Sequence, residues 1–434
     1  MEYLLELVRR HKDGEPVGIH SVCSAHPLVI EAALETGRER GLPVLVEATS
    51  NQVDQDGGYT GMTPAAFRDF VHGIADRVGL ARERVLLGGD HLGPNAWQDR
   101  DADAAMARAE VLIDQYVAAG FRKIHLDCSM SCAGDPVPLP DATVAARAAR
   151  LAAVAERAWR VAGGGAPVYI VGTEVPVPGG AHEDLQELAV TTPAAAAATI
   201  DAHRVAFEAA GLDAAWPRVV GLVVQPGVEF DHHKVIDYRP ERAQALSRFI
   251  EGVPGMLFEA HSTDYQTPEG LAALVRDHFA ILKAGPGLTF ALRETLWALA
   301  DIEHEMTAGA GGSRFKEVVL DTMRAEPGYW QKYYHDPARA RFDQQYSLSD
   351  RIRYYWPHPA IQAAQAQLLA NLERTAPPLT LLSQYLPAQY EAVRAGRLRN
   401  RPADLLKEGV ARVLRQYMDA CMAGAATKEL ETCW

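Results

Sequence analysis

From Val17 onward, short apolar runs rich in Val, Ile and Leu alternate with longer Ala-rich segments whose apolar positions recur at helical spacing. That alternation marks repeated βα units. Eight runs carry it: VGIHSVC from Val17, PVLVEAT from Pro43, VLLGGDH from Val85, KIHLDCS from Lys123, PVYIVGTE from Pro167, VVGLVVQPG from Val219, MLFEAHS from Met256 and FAILKAGPG from Phe279. The stretches between them read as helices, for example 102–119, with Met106, Ala109, Ile113 and Val117 on its apolar face, and 193–210, opened by the capping candidates Thr191 and Thr192. Strands apolar on both faces and joined by crossover helices are parallel and covered, and eight such units in about 300 residues is the count of an α/β (β/α)8 TIM barrel. An open doubly wound sheet is the alternative. It would want a GxGxxG turn after the first strand, where this chain reads SAHPLV.

After about Glu305 the rhythm stops, and helices punctuated by proline follow. The expected division is therefore a barrel over residues 1–305, with its site at the C-terminal rim, and a helical extension over 306–434 packed on the barrel or on a subunit. Two aromatic stretches of the extension, GYWQKYYHDP and RIRYYWPHP, read as packing surface rather than substrate contacts.

The chain has 434 residues, 48% hydrophobic and 23% charged, enough to bury a sizeable core. Lys plus Arg number 43 against 56 Asp plus Glu, a net charge of -13. Such a balance repels phosphate backbones and anionic lipid, so neither nucleic acid nor a membrane is expected as a partner. The basic run Arg394, Arg397, Arg399 and Arg401 reads as a solvated face or an oligomer contact, and a homo-oligomer is expected. Five cysteines in so long a chain do not make a disulfide framework, which fits a reducing cytoplasm. The opening MEYLLELVRRHKDGEP reads as a first helix and not a signal peptide, and no apolar run approaches the ~20 residues of a membrane span.

In a TIM barrel the chemistry sits at the carboxyl ends of the strands. Nearly every run here ends in a polar or ionisable residue: His20, Ser24 and His26; Glu47 and Asn51; Asp90 and His91; His125 and Asp127; Glu174; Gln225; Glu259 and His261; Lys283. Imidazoles and carboxylates converging on one rim are what a divalent metal site requires. GGDHLGPN is the sharpest signal, because adjacent Asp and His at a strand end can place one side chain on a metal and the other beside it as a proton shuttle. His125 and Asp127 share a face in period-2 alternation, and Asp127, nearer the strand end, is the preferred member. Cys128 and Cys132 lack the spacing of a zinc pair and read as buried or loop thiols. His232 and His233, in EFDHHKV, are expected in a solvent-exposed loop. LKAGPGLTFALRE puts Lys283 before a Gly-Pro-Gly turn and a helix start, a candidate anion cradle. GxxxxGK[ST] does not occur, so a P-loop kinase is not supported.

GGDHLGPNAW, VGTEVPVPGGA, FEAHSTDYQT, LKAGPGLTFALRE and RIRYYWP together resemble the tagatose-bisphosphate aldolase accessory subunits (GatZ/KbaZ), a family whose members are also described as ketohexose or ketohexose-phosphate 4-epimerases. The resemblance covers essentially the whole chain and implies a TIM barrel. A more distant similarity runs to class II aldolases, whose third strand ends in an Asp-His pair and whose later strands supply two more metal-binding histidines. Asp90 and His91 match the pair and His261 the last ligand. Where the middle histidine follows a Gly-Thr, this chain has Gly172, Thr173 and Glu174.

The resemblance therefore implies His91, Glu174 and His261 as ligands of a divalent metal, zinc first, with manganese, nickel or cobalt as alternatives. It implies Asp90 as the acid/base, Asp127 or Glu47 as a second proton donor, Asn51 and Gln225 orienting hydroxyls, and Lys283 holding the far end of a ketose or ketose phosphate. The function expected is fructose/tagatose-type 4-epimerisation by retro-aldol cleavage and re-addition. The alternative is a non-catalytic subunit that stabilises a separate class II aldolase chain.

Overall fold

The computed structural model describes residues 1–173, 188–307 and 311–424. Eight parallel strands close into a barrel. In chain order they are Ile19–Val22, Val44–Thr49, Val85–Leu92, Lys123–Leu126, Val168–Val171, Val219–Val224, Leu257–Ala260 and Ile281–Ala284, each within one of the eight apolar runs except that the third extends one residue further, to Leu92. Successive strands are neighbours, and the eighth pairs with the first through Ile19 opposite Ile281. The strands are buried along their whole length apart from Thr49, which explains their lack of apolar/polar alternation.

The helices start where the chain supplies a cap. Thr63, Thr192 and Thr267 each precede a proline, and each side chain accepts the amide of the third residue beyond it. Cap and fixed proline φ together define the entry to a helix. Asp101 does the same without proline for Ala102–Ala118.

Glycine lets the strands come close where the site is built. A Cβ at Gly88 would meet the Glu47 side chain at 2.8 Å, and one at Gly93 would stand 1.7 Å from the Asp127 carbonyl oxygen. Between them the pairing of third and fourth strands slips register, and His91 takes a left-handed φ of 49°. This conformation is costly for a residue with a side chain.

The extension leaves the barrel and returns to it. Helices Phe315–Ala325, Ala340–Tyr346, Pro359–Arg374, Leu379–Tyr385 and Pro387–Arg394 precede a last helix, Pro402–Met422. That last helix packs against Pro268–Arg276, Pro286–Thr307 and Pro27–Arg40, and against the first strand. It thus lies beside the helices that follow the seventh and first strands, and Gly18 donates its amide to the Cys421 carbonyl at 2.8 Å.

After the sixth strand a short antiparallel hairpin, Glu229–Phe230 with Val235–Ile236, carries His232 and His233. The expectation of a solvent-exposed loop holds for His233, which is exposed, whereas His232 is half-buried. His232 meets Ser347 and the Tyr333 carbonyl at 3.0 Å each, and His233 lies 3.0 Å from the Asp343 carboxylate, so both clasp the extension. Among the described residues no helix is long and apolar enough to cross a membrane.

Candidate active site

Five strands aim charged side chains into the barrel. Lys123, wholly buried at the start of the fourth strand, places its Nζ 2.5 Å from Glu47 Oε1 and 2.6 Å from Glu259 Oε2. Lys283, on the eighth, pairs with Glu47 and lies 2.9 Å from Asp90 Oδ1. An ammonium without water persists only where carboxylates replace its hydration. Burial alone would raise the Asp90 and Glu259 carboxyls, but the opposite charges outweigh it: His91, Lys283 and His125 hold Asp90, and Lys123, Lys283 and His261 hold Glu259, well below the usual carboxylate range. Lys283, opposed by burial and favoured by Asp90, Cys23 and Glu47, is pushed well above its ordinary value. It is a fixed cation rather than a free amine.

Above this layer three imidazoles converge. Ring centroids of His91 and His261 are 4.9 Å apart, of His91 and His125 5.1 Å, and of His125 and His261 5.3 Å. His261 Nε2 lies 2.9 Å from Glu259 Oε1, and His125 Nδ1 lies 3.0 Å from Asp90 Oδ1. Burial lowers His261 to about 4, so it is a neutral ring with a lone pair.

His91 Nδ1 lies 2.8 Å from Asp127 Oδ2, and Asp127 also accepts the Ser129 amide and hydroxyl. Asp127 therefore serves the His91 ring, in the way a carboxylate fixes an imidazole's tautomer. Burial lowers His91, but Asp90 and Asp127 outweigh that effect and raise it.

The donor set fits a divalent cation. Among the described residues, one ligand atom each from Asp90, His125, Glu259 and His261 lies within 4.8 Å of the others. His125 Nε2 is buried with no hydrogen-bond partner there. Three buried carboxylates, Glu47, Asp90 and Glu259, share two ammonium groups, an excess of negative charge that a divalent ion offsets.

The expected ligand triad is redistributed by this geometry. His261 is in the cluster, His91 is beside it with its Nδ1 on Asp127, and Glu174 lies outside the described residues. Asp127, preferred over His125 from the sequence, meets His91 instead. Period-2 alternation brings both inward, and His125 is the one in the donor cluster.

A cavity of about 510 Å3 opens above the cluster. Asp90, His91, His261, Lys283 and Asn51 line it, whereas Glu47, Asp127 and Gln225 do not. Gln225 is consumed locally, its Oε1 accepting the Gly227 and Val228 amides at 2.8 and 3.0 Å. Lys283 sits among Glu47 and Asp90 rather than at the far end of the cavity. The Gly-Pro-Gly cradle is filled from within: Asp264 Oδ1 accepts the Gly285 and Gly287 amides at 2.9 Å each.

The extension supplies part of the wall through Arg353, Tyr354 and Trp356. This corrects the reading of RIRYYWP as packing surface alone. Lys123 lies at the start of its strand, away from the polar strand ends, although Lys123, His125 and Asp127 share one face by alternation.

The model of the D-tagatose-1,6-bisphosphate aldolase subunit GatZ/KbaZ-like family matches residues 4–422. The chain belongs to this family. A GatZ/KbaZ-like chain is thus a closed barrel whose extension reaches its mouth. Its fold is similar to a crystal structure described as a probable tagatose 6 phosphate kinase from Sinorhizobium meliloti 1021, with 53% identity over 93% of this chain and 100% of that one, at a TM-score of 0.86. It is far less similar to the fructose-bisphosphate aldolase of Campylobacter jejuni, with 14% identity over 86% of this chain and 92% of that one, at a TM-score of 0.41.

Proposed function

We propose that this GatZ/KbaZ-like protein is a metal-dependent 4-epimerase acting on a ketohexose or its 6-phosphate. The observation that carries the reading is the buried cluster of Asp90, His125, Glu259 and His261, of which Asp90 and His261 line a sugar-sized cavity while His125 and Glu259 do not. C4 of a 2-ketose is not adjacent to the carbonyl, so a base cannot invert it by removing its hydrogen. Breaking C3–C4 solves the problem. A base takes the C4 hydroxyl proton, C4 becomes an aldehyde, and the bonding pair passes to C3 and the C2 carbonyl. The aldehyde fragment rotates, C3 adds to its other face, and the proton returns to the new C4 oxygen.

His125 and His261, with Glu259, would hold the cation, zinc by donor type with manganese, nickel or cobalt as alternatives, and it would act as a Lewis acid toward the ketose oxygens. Asp90 faces the cavity and takes and returns the C4 proton. His91, also facing the cavity and oriented by Asp127, is the second proton carrier, because Glu47 and Asp127 are engaged elsewhere. Lys283 keeps Asp90 ionised. Retention of the aldehyde in the cavity between the two addition steps is what separates an epimerase from an aldolase.

The family description favours a second reading, in which the protein is a stabilising subunit of a tagatose-bisphosphate aldolase. Purified protein alone is incubated with fructose, fructose 6-phosphate and tagatose 1,6-bisphosphate plus divalent metal, and products are followed by carbon NMR. Tagatose-type product without free trioses supports the epimerase. No conversion, with activity appearing only on adding a separate aldolase chain, supports the subunit.

A further inference from the structure

We propose that Arg353, delivered by the C-terminal extension, recognises an anionic group at one end of the substrate and so selects a phosphorylated ketose over the free sugar. This rests on the reading of the cavity as a ketose site.

Of the cationic and amide groups that could hold an anion there, two are already committed. Lys283 is bound by Glu47 and Asp90, and the amides of Gly285 and Gly287 are filled by the Asp264 carboxylate. Arg353 is different. It lines the same cavity as Asp90 and His261, and its guanidinium donates to the Ser349 carbonyl, to the Asp350 carbonyl at 3.2 Å and to the Tyr354 hydroxyl at 3.1 Å. Two of the partners are backbone carbonyls, and the third is a phenol that Arg353 and Arg351 make more acidic against the effect of burial. The Asp350 carboxylate accepts the Thr289 hydroxyl at 2.6 Å and acts on Arg353 only from beyond ion-pair distance. Among the described residues no carboxylate forms an ion pair with Arg353, while other recessed cations such as Lys123, Arg147 and Lys283 do.

The Asp350 and Asp264 carboxylates offset part of the Arg353 charge from beyond ion-pair distance, yet a guanidinium with five N–H groups and three acceptors retains free donors. It suits an incoming phosphate, whose oxygens match the planar fork. The position is also rigid. The guanidinium lies 4.6 Å from the Tyr354 ring, and that ring is stacked on Tyr329 at 5.1 Å and met edge-on by Tyr59 at 4.8 Å. Arg351 lies 4.4 Å over the same ring and adds to the local positive potential. The two arginines and the tyrosine all belong to RIRYYWP, so this motif supplies chemistry as well as packing.

Binding of fructose 6-phosphate, fructose and inorganic phosphate to the full-length protein is measured by calorimetry, independently of turnover, for wild type, Arg353→Met and Arg353→Lys. Wild type should prefer fructose 6-phosphate to fructose. Arg353→Met should lose at least about tenfold in affinity for fructose 6-phosphate, and inorganic phosphate should no longer compete. Arg353→Lys, which keeps the charge without the fork, should fall between the two and guards against a folding defect in the Met variant. Equal affinity of wild type for fructose and fructose 6-phosphate, or undiminished phosphate binding by a folded Arg353→Met, overturns the proposal. An absence of turnover with phosphate binding intact would strike the epimerase reading and leave this one standing.

Discussion

Lys123 has surrendered its hydration, and the carboxylates of Glu47 and Glu259 offset that loss. Removing one member of such a network strands the others. Lys123→Met should therefore destabilise the fold by about 3 kcal/mol, read from urea unfolding, although methionine fills nearly the same space; a neutral effect would mean that the ammonium is dispensable. Asp90 makes a different prediction, because its role is proton transfer. Asp90→Asn should abolish ketose turnover yet retain bound metal by elemental analysis. Loss of both would make Asp90 a ligand first.

At the scale of the element, the third strand and the last helix matter most. A methyl group at Gly88 meets the Glu47 side chain at 2.8 Å, so Gly88→Ala should push Glu47 off Lys123 and Lys283 and lower the melting temperature. An unchanged melting temperature would show that Glu47 has room to move. The last helix, Pro402–Met422, carries Tyr417, whose hydroxyl lies 3.1 Å from that of Thr263 and whose ring packs on His20. Deleting residues after 401 should therefore expose the sector between the eighth and first strands and yield a loosely packed protein that binds hydrophobic dye.

All eight strands were legible because each is a short apolar run closed by a turn, and the cap at Thr192 before Pro193 marked one helix start. The return of the last helix to the barrel wall was not legible, since a distant segment and a local one have the same amphipathic pattern. The inward direction of Lys123 and His125 was encoded in the alternation of KIHLD. Arg353 was not recoverable, because its place at the cavity depends on how the extension folds back.

At the scale of the whole molecule, buried histidines set the acid limit of stability. Burial lowers His20, His26 and His261 from 6.5 to about 4, and it dominates the same shift at His11. Their folded values lie below the unfolded one, so the unfolded chain binds more protons between these limits. Their contribution is fully present above pH 6.5 and is lost as the pH falls through 4. The unfolding free energy should drop steeply over that window, and a flat profile would mean that these rings are hydrated.

The central claim is that His125 and His261, with neighbouring carboxylates, form a cation site on the barrel floor. Calorimetric titration of zinc into chelator-stripped protein tests it most directly. The account predicts one site per chain, with affinity reduced in both His125→Ala and His261→Ala by more than the ~10–100-fold typical of outer-shell partners. Zinc binding that is absent from the wild type, or undiminished in the two variants, would contradict it.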